Sequence, residues 1–130
     1  MSHTKLLLVD DEAEFVSALA ERLQLRNYDV KTANTALQAL AVIYKDPPDV
    51  IVLDLKIPGM DGLETLRTIK KFDPAIEVIM LTGHGDNQSV QEGMKSGAFE
   101  YIMKPIDIGE LTSKIDKAKK KRGAASHSEG

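Results

Sequence analysis

The chain has 130 residues with 20 acidic and 17 basic side chains, so its formal net charge is −3. This length suits one domain with its own core, and the mild charge gives no general reason to expect nucleic acid or an anionic membrane as a partner. Cysteine is absent, which excludes disulfides, and no apolar run approaches the roughly 20 residues of a membrane span. Because "MSHTKLLLV" is also not a signal peptide, we expect a cytoplasmic protein.

Five short apolar runs, each bounded by turn residues, predict buried β-strands. In chain order they are Lys5–Val9, the weaker Tyr28–Ala33, Val50–Leu53, Glu77–Leu81 and Glu100–Met103.

Amphipathic stretches follow each of these runs and predict five helices. The apolar residues expected to face the core are Phe15, Val16, Leu19, Ala20 and Leu23 in the first helix; Leu37, Leu40, Ala41 and Tyr44 in the second; Leu63, Leu66 and Ile69 in the third; Val90, Met94 and Ala98 in the fourth; and Ile108, Leu111, Ile115 and Ala118 in the fifth. Candidate N-caps are Asp11 or Glu12, Asn34 or Thr35, and Asp86, while Lys119–Arg122 is expected to close the last helix.

The alternation of strand and helix predicts the α/β class, with right-handed crossovers and a parallel sheet covered on both faces. Five such units are too few for a closed eight-stranded barrel, so an open, doubly wound sheet remains. Sheets of this kind bind ligands beyond the carboxyl ends of their strands, where the strand order reverses.

Chemically active side chains follow four of the predicted strands. Asp10, Asp11 and Glu12 follow the first, Asp54 the third, Thr82 the fourth and Lys104 the fifth. Because parallel strands end at one common edge, we expect these side chains to lie together there.

Clustered acids at the mouth of an apolar core repel one another and raise each other's pKa, a conflict that a divalent cation removes. Oxygen ligands without nearby histidine or cysteine favour Mg²⁺, which retains waters and shares oxygens with a phosphate. Lys104 and Thr82 can bind further phosphoryl oxygens. One carboxylate then either binds only the metal or attacks phosphorus to form an aspartyl-phosphate.

Four segments, "LLLVDDE", "VLDLKIPGMDG", "LTGHGD" and "GAFEYIMKP", closely resemble the motifs of the receiver domain of two-component response regulators. They occur in order, with spacings like those of the family, over about residues 4–121. The resemblance implies a flavodoxin-like fold with strand order 2-1-3-4-5, similar to chemotaxis regulators. It also implies a polar tail or linker over residues 122–130.

The resemblance assigns a role to each candidate residue. Asp54 matches the phosphoacceptor, and Lys104 the phosphoryl-binding lysine, whose bond to Pro105 is expected to be cis. Thr82 matches the switch hydroxyl and Tyr101 the aromatic residue that moves with it. The implied Mg²⁺ ligands are Asp10, Asp11, Asp54 and the backbone carbonyl of Lys56. Lys56 and His84 also match positions that tune the lifetime of the phosphoryl group, in a direction that the sequence leaves open.

The function expected from this resemblance is a phosphorylation-controlled signalling switch. Such a domain catalyses only its own phosphorylation and dephosphorylation and is not an enzyme that acts on other substrates. A histidine kinase or phosphotransfer protein would supply the phosphoryl group. An effector domain, a partner protein or a homodimer through the fourth helix, fifth strand and fifth helix would receive the signal. No helix-turn-helix follows residue 121, so direct nucleic-acid binding and membrane binding are not expected.

Two alternatives stay open. The first is a small Mg²⁺-dependent phosphatase that forms an aspartyl-phosphate, although Lys56 stands where its general acid would be needed. The second is an interaction module that keeps the fold without phosphorylation. A flavin carrier shares the sheet order, but acids replace the phosphate-binding loop after the first strand.

Overall fold

The computed structural model describes residues 3–56, 61–83 and 87–129. Five parallel strands form one sheet in the order β2-β1-β3-β4-β5. The strands are β1 (Lys5–Val9), β2 (Asp29–Ala33), β3 (Val50–Asp54), β4 (Glu77–Thr82) and β5 (Glu100–Met103). The predicted α/β class and strand order are thus confirmed.

Five helices connect and cover the strands. They are α1 (Ala13–Gln24), α2 (Ala36–Lys45), α3 (Gly62–Phe72), α4 (Asn87–Lys95) and α5 (Ile108–Glu129). Within the described residues, none of these helices is long and apolar enough to cross a membrane. Helix α5 runs past the Lys119–Arg122 segment, so the prediction that this segment closes the helix is wrong.

The core has two layers because neighbouring residues of a strand point to opposite faces of the sheet. Leu6 and Leu8 pack with α1 and α5 on one face, whereas Leu7 and Val9 pack with α2 and α3 on the other. All strand residues of β3 and β4 are buried, as expected for central parallel strands.

Helix ends follow local chemistry. Thr35 caps α2 by accepting a hydrogen bond from the Gln38 amide, and Asp61 caps α3 by accepting one from the Leu63 amide. Glu12 is the N-cap residue of α1 but makes no capping hydrogen bond with its side chain. The predicted cap Asp86 lies outside the described residues.

The predicted inner faces of α2 and α4 are partly wrong: Ala98 is buried in the core and Leu40 packs against it, but Leu37, Tyr44 and Met94 are exposed. Helix α2 buries Ala36, Ala39 and Ile43 and exposes Leu37, Ala41 and Tyr44, with Leu40 half-buried. In α4 the buried residue is Gly93, which lies against Met80; Val90 is half-buried, Met94 is exposed, and Ala98 lies beyond the helix. In α4 the residue that allows close approach to the sheet is Gly93, and glycine carries no hydrophobic signal in the sequence. In α2 both faces are apolar, so the sequence pattern does not distinguish the inner face.

Candidate functional site

Two aspartates occupy the point of the sheet where the strand order reverses. Asp10 directly follows β1 and is 1% exposed, and Asp54 is the last residue of β3 and is 8% exposed. Strands β1 and β3 are neighbours, which brings these carboxylates together with that of the exposed Asp11. One oxygen atom from each of the three lies within 4.8 Å of the others.

Local turns orient the two buried carboxylates. Oδ1 of Asp10 accepts a hydrogen bond of 3.0 Å from the Glu12 amide, and Oδ1 of Asp54 accepts one of 3.0 Å from the Lys56 amide. Such side-chain contacts two residues along the chain are typical of aspartate in turns. In both residues the second oxygen, Oδ2, is left to face Lys104.

Lys104 joins the cluster from the end of β5. Its backbone amide donates to the Thr82 carbonyl over 2.8 Å, and its peptide bond to Pro105 is cis, as the resemblance implied. The Nζ atom lies 2.9 Å from Asp10 Oδ2, 3.2 Å from Glu12 Oε1 and 3.4 Å from Asp54 Oδ2. One ammonium group is therefore shared among three acids.

This electrostatic arrangement changes the acidity of its members. Burial, followed by repulsion from Asp10, raises the pKa of Asp54, although the Lys56 amide and Lys104 partly offset the rise. Burial alone lowers the pKa of Lys104, but its hydrogen bond to Asp10 and the attraction of Asp54 outweigh burial and raise that pKa. The lysine is therefore firmly cationic at neutral pH.

The donor set fits a divalent metal ion. In the part of the chain that the structure describes, the Lys104 ammonium group pairs with Asp10, Glu12 and Asp54, and the Asp11 carboxylate lies beside those of Asp10 and Asp54, so this lysine alone does not neutralise the acids. The ligand atoms are all carboxylate oxygens, which hard cations prefer. The acidic triad is consistent with the metal site of receiver domains.

Thr82 is the last residue of β4, and Tyr101 lies on the neighbouring strand β5. Thr82 is buried, and its hydroxyl donates to the Ile102 carbonyl over 3.4 Å. The Tyr101 side chain is 39% exposed, with Lys114 Nζ 5.9 Å from its ring centre. Tyr101 therefore faces outward in this structure.

Sequence reasoning missed three further contacts of the site. Glu12 was expected at this edge but given no role beyond a helix cap, and it pairs with Lys104; the ring of Phe15 lies 4.9 Å from Lys104 Nζ; and Asn34 Nδ2 donates to the Asp10 carbonyl over 3.2 Å. The position of Glu12 in an unbroken run of acids was the available signal. His84 lies outside the described residues.

The fold and the site therefore define an α/β protein with an acidic, lysine-containing site at the carboxyl edge of its sheet. The family model for the response regulator receiver domain matches residues 6–116. Sporulation initiation phosphotransferase F of Bacillus subtilis is 38% identical over 117 residues, a match that covers 90% of this chain and 94% of that protein. The transcriptional regulatory protein ZraR of Klebsiella oxytoca is 35% identical over 113 residues, but the match covers only 26% of its length.

Solved structures agree with this result. A receiver domain protein from Clostridium thermocellum superposes with a TM-score of 0.90 at 34% identity, over 94% of this chain and 98% of its own. A CheY-like receiver protein from Methanospirillum hungatei gives the same TM-score at 30% identity, over 95% and 99% of the two chains.

The chain belongs to the response regulator receiver domain family. As a receiver domain it is a phosphoacceptor of a phosphorelay and a regulatory domain instead of a true enzyme. Membership also implies a histidine kinase or a phosphotransfer protein as its partner.

Proposed function

We propose that Asp54 is the residue that accepts the phosphoryl group. The observation that carries this proposal is the position of its carboxylate at the strand-order reversal, with Oδ2 3.4 Å from Lys104 Nζ and Oδ1 held by the Lys56 amide. The bond between Asp54 and phosphorus forms as the bond between phosphorus and the donor's imidazole nitrogen breaks. The carboxylate is thus the nucleophile of the transfer.

Lys104 positions and neutralises the incoming group. Its ammonium already contacts Asp10 and Asp54, so it can bind a phosphoryl oxygen by a small movement of a flexible side chain. Phosphoryl transfer depends mainly on such positioning and charge stabilisation.

Mg²⁺ is the proposed metal, held by Asp10, Asp11, Asp54 and the backbone carbonyl of Lys56. When bound, it neutralises charge on the carboxylates and the phosphoryl oxygens. The support is the oxygen-only donor set and its excess of negative charge.

Thr82 and Tyr101 form the proposed switch. The Thr82 hydroxyl would leave the Ile102 carbonyl for a phosphoryl oxygen, and Tyr101 would turn from its outward position into the space released. This movement changes the surface of α4, β5 and α5, through which a partner protein, an effector domain or a second copy would read the signal. Phosphorylation then biases an existing equilibrium between the two arrangements.

The proposed receiver domain covers residues 4–121, with residues 122–130 as a tail or linker and the cytoplasm as its location. The transcriptional regulator ZraR is about four times longer than the matched region, which supports an effector domain as one possible continuation. The phosphotransferase of similar length supports a stand-alone relay protein as the other. In either arrangement we expect no direct nucleic-acid contact from this chain.

The test is the intact mass of the protein after incubation with acetyl phosphate, with and without Mg²⁺, for the wild type and for Asp54→Asn. We expect a Mg²⁺-dependent gain of one phosphoryl group that hydroxylamine removes and that the variant lacks. Labelling of Asp54→Asn at the normal rate would contradict the assignment of Asp54. Repeated hydrolysis of a small phosphate ester would instead favour the phosphatase.

A further inference from the structure

Strand β2 forms one lateral border of the sheet. Among the described strands it pairs only with β1, so its other side, which we call the outer side of β2, is not covered by a strand. Four of its five residues are exposed or half-buried, unlike the fully buried residues of β3 and β4. A strand at such a border presents unpaired backbone donors and acceptors to which another strand can add.

The hydrogen bonds to β1 identify the backbone groups on the outer side of β2. The Asp29 amide donates to the Thr4 carbonyl over 2.9 Å, so Asp29 directs its backbone groups to β1. Successive residues of a strand direct these groups to opposite sides, and Lys31 therefore also faces β1 with its backbone. The amides and carbonyls of Val30 and Thr32 then point outward, away from β1.

The space beside β2 is large enough for an extended segment. A groove of about 800 Å³ follows the outer side of the strand, with α1 on one side and Val42 of α2 on the other. The α1 residues Ala13, Ser17 and Ala20 that line this groove have small side chains. They leave room for a further strand at the usual spacing of about 4.8 Å.

The charges of β2 make this strand complementary to itself. Asp29 and Lys31 flank Val30 and share one face of the sheet, because residues two positions apart point to the same face. Two antiparallel copies of β2 centred on Val30 would place Asp29 of each copy directly opposite Lys31 of the other. Opposite charges in such pairs stabilise a sheet. Within the described residues, Asp29 forms no ion pair that this contact would replace.

Other arrangements fit this strand less well. Centring the two copies on Lys31 would place two lysines directly opposite each other, which is destabilising. A lysine in a border strand often prevents strand addition. Here, however, Asp46 Oδ2 lies 2.6 Å from Lys31 Nζ and already neutralises its charge. An unrelated strand would need an acid and a base at the same spacing, which a second copy of this chain supplies.

We propose that two copies of this chain associate through β2, which pairs antiparallel about Val30 and joins the two five-stranded sheets into one. The amide of each Val30 donates to the Val30 carbonyl of the other copy, and the amide of each Thr32 donates to the opposite Tyr28 carbonyl. Asp29 of each copy pairs with Lys31 of the other. Because β5 lies at the other lateral border of the sheet, this contact does not compete with one through α4, β5 and α5.

Light scattering and amide hydrogen exchange over a series from about 10 μM to about 1 mM protein test the proposal. We expect the mass to double along this series. A dimer populated to about 90% leaves the outward amides open for about a tenth of the time, so those of Val30 and Thr32 should exchange roughly tenfold more slowly. The amides of Asp29 and Lys31, which face β1, are internal controls and should exchange at an unchanged rate. Asp54→Asn should associate as the wild type does.

Charge variants test the register of the two strands. Asp29→Lys places lysine opposite lysine, and Lys31→Asp places aspartate opposite aspartate, so each variant alone should associate roughly tenfold more weakly than the wild type. An equimolar mixture of the two variants should recover association, because every pair again joins an acid and a base. Lys71→Asp on α3 is the matched control and should leave association unchanged, since Lys71 lines a different groove.

Three results would overturn the proposal. A constant mass, with Val30 and Thr32 exchanging equally fast at every concentration, would show that β2 does not associate. Association that persists in both charge variants, or that is not recovered in their mixture, would exclude the antiparallel pair centred on Val30. Doubling of the mass only after treatment with acetyl phosphate, and not in Asp54→Asn, would assign the dimer to a surface that phosphorylation changes.

Discussion

The charged residues at the two edges of the sheet differ in their balance. At the carboxyl edge, four acids surround one lysine: Asp10, Asp11, Glu12, Asp54 and Lys104, which we call the carboxyl-edge cluster. At the amino edge, three acids face four bases: Asp49, Asp73, Glu77, Lys70, Lys119, Lys121 and Arg122, which we call the amino-edge cluster. Among these described residues, acids outnumber bases in the carboxyl-edge cluster, whereas bases outnumber acids in the amino-edge cluster.

The amino-edge cluster attaches α5 to the sheet. Asp49 accepts from Lys119 Nζ at 3.0 Å, from Arg122 Nε at 3.2 Å and from the Lys5 amide at 2.9 Å. Glu77, almost fully buried at the start of β4, lies 3.6 Å from both Lys70 and Lys121. The acids and bases of this cluster pair with each other, although Glu77 Oε1 and Arg122 Nη1 lack a hydrogen-bond partner among the described residues, so the cluster can stabilise the fold without a ligand.

The difference between the two clusters indicates that an excess of one charge distinguishes a binding site from a cluster that only stabilises the fold, although both contain the same residue types. Like charges held together oppose folding unless a cation joins them. Residues arranged for function thus weaken the apo protein, whereas the balanced cluster strengthens it. The following predictions test this contrast.

The largest effect is expected where the carboxyl edge depends on backbone packing. A Cβ atom on Gly62, at the start of α3, would lie 2.4 Å from the Leu55 carbonyl oxygen, immediately after Asp54 in the chain. Gly62→Ala should lower the free energy of unfolding by about 3 kcal/mol, because backbone cannot yield as a flexible side chain does. Urea denaturation measures the loss.

Gly109→Ala in α5 is the matched control, since the nearest atom to its added Cβ is 3.8 Å away on Asp107. That variant should be neutral or up to about 1 kcal/mol more stable, as expected for alanine in a helix. A loss below 1 kcal/mol in Gly62→Ala would show that α3 can shift away from Leu55.

The next effect concerns the amino-edge cluster. Asp49→Asn should destabilise the protein by about 1–2 kcal/mol, because Lys119 and Arg122 lose their carboxylate; partial exposure of these groups keeps the loss below that of a fully buried pair. Asp29→Asn is the control, since the described residues supply this exposed acid of β2 with no ion pair. Equal stability of the two variants in urea would mean that the amino-edge cluster does not stabilise the fold.

At the carboxyl edge, we expect the loss of a carboxylate to raise the free energy of unfolding instead of lowering it. Without divalent cations, Asp54→Asn should stabilise the protein by up to about 1 kcal/mol, since it removes a charge that burial and Asp10 disfavour. Loss of the Lys104 contact limits the gain. Thermal unfolding checks this, and added Mg²⁺ should raise the midpoint more in the wild type than in the variant. Destabilisation by more than 1 kcal/mol would show that the pair with Lys104 outweighs repulsion.

Much of this contrast could be predicted from the sequence, but only at the carboxyl edge. Hydrophobic runs placed the five strands to within one residue at each end, and parallel order then brought Asp10, Asp54, Thr82 and Lys104 to one edge. The geometry extended two strands by one residue, so that Asp54 and Thr82 are the last residues of β3 and β4.

The amino-edge cluster could not be predicted in this way. Asp49 and Arg122 are 73 positions apart, and nothing in local periodicity specifies that they meet. From the sequence, Lys119–Arg122 was predicted to be an ordinary cationic end of the last helix. The prediction of the inner face of α2 was wrong for a different reason. Both faces of this helix are apolar, and only tertiary packing determines that Ile43 is buried and Tyr44 exposed.

The smallest effect is a difference in acid sensitivity between the two edges. The carboxyl edge contains Asp54, whose pKa burial raises above its usual value near 4, so the folded state binds this proton more tightly than the unfolded chain. The stability advantage of Asp54→Asn at neutral pH should therefore shrink as the pH falls below the raised pKa. Protonation relieves the same repulsion in the wild type.

The amino edge should show the reverse. Burial opposes ionisation of Asp49, but the Lys5 amide and Lys119 outweigh it and lower its pKa; Lys31 and Lys5 hold the pKa of Asp46 at about 2. Stability from these acids is present above about pH 4 and is lost as the pH falls through their lowered values. The deficit of Asp49→Asn should close below about pH 4, whereas the advantage of Asp54→Asn should already disappear between the raised pKa of Asp54 and about pH 4. Urea midpoints measured from pH 7 to pH 2 would show the three proteins converging from opposite sides, whereas parallel curves would mean that neither carboxylate contributes through its charge.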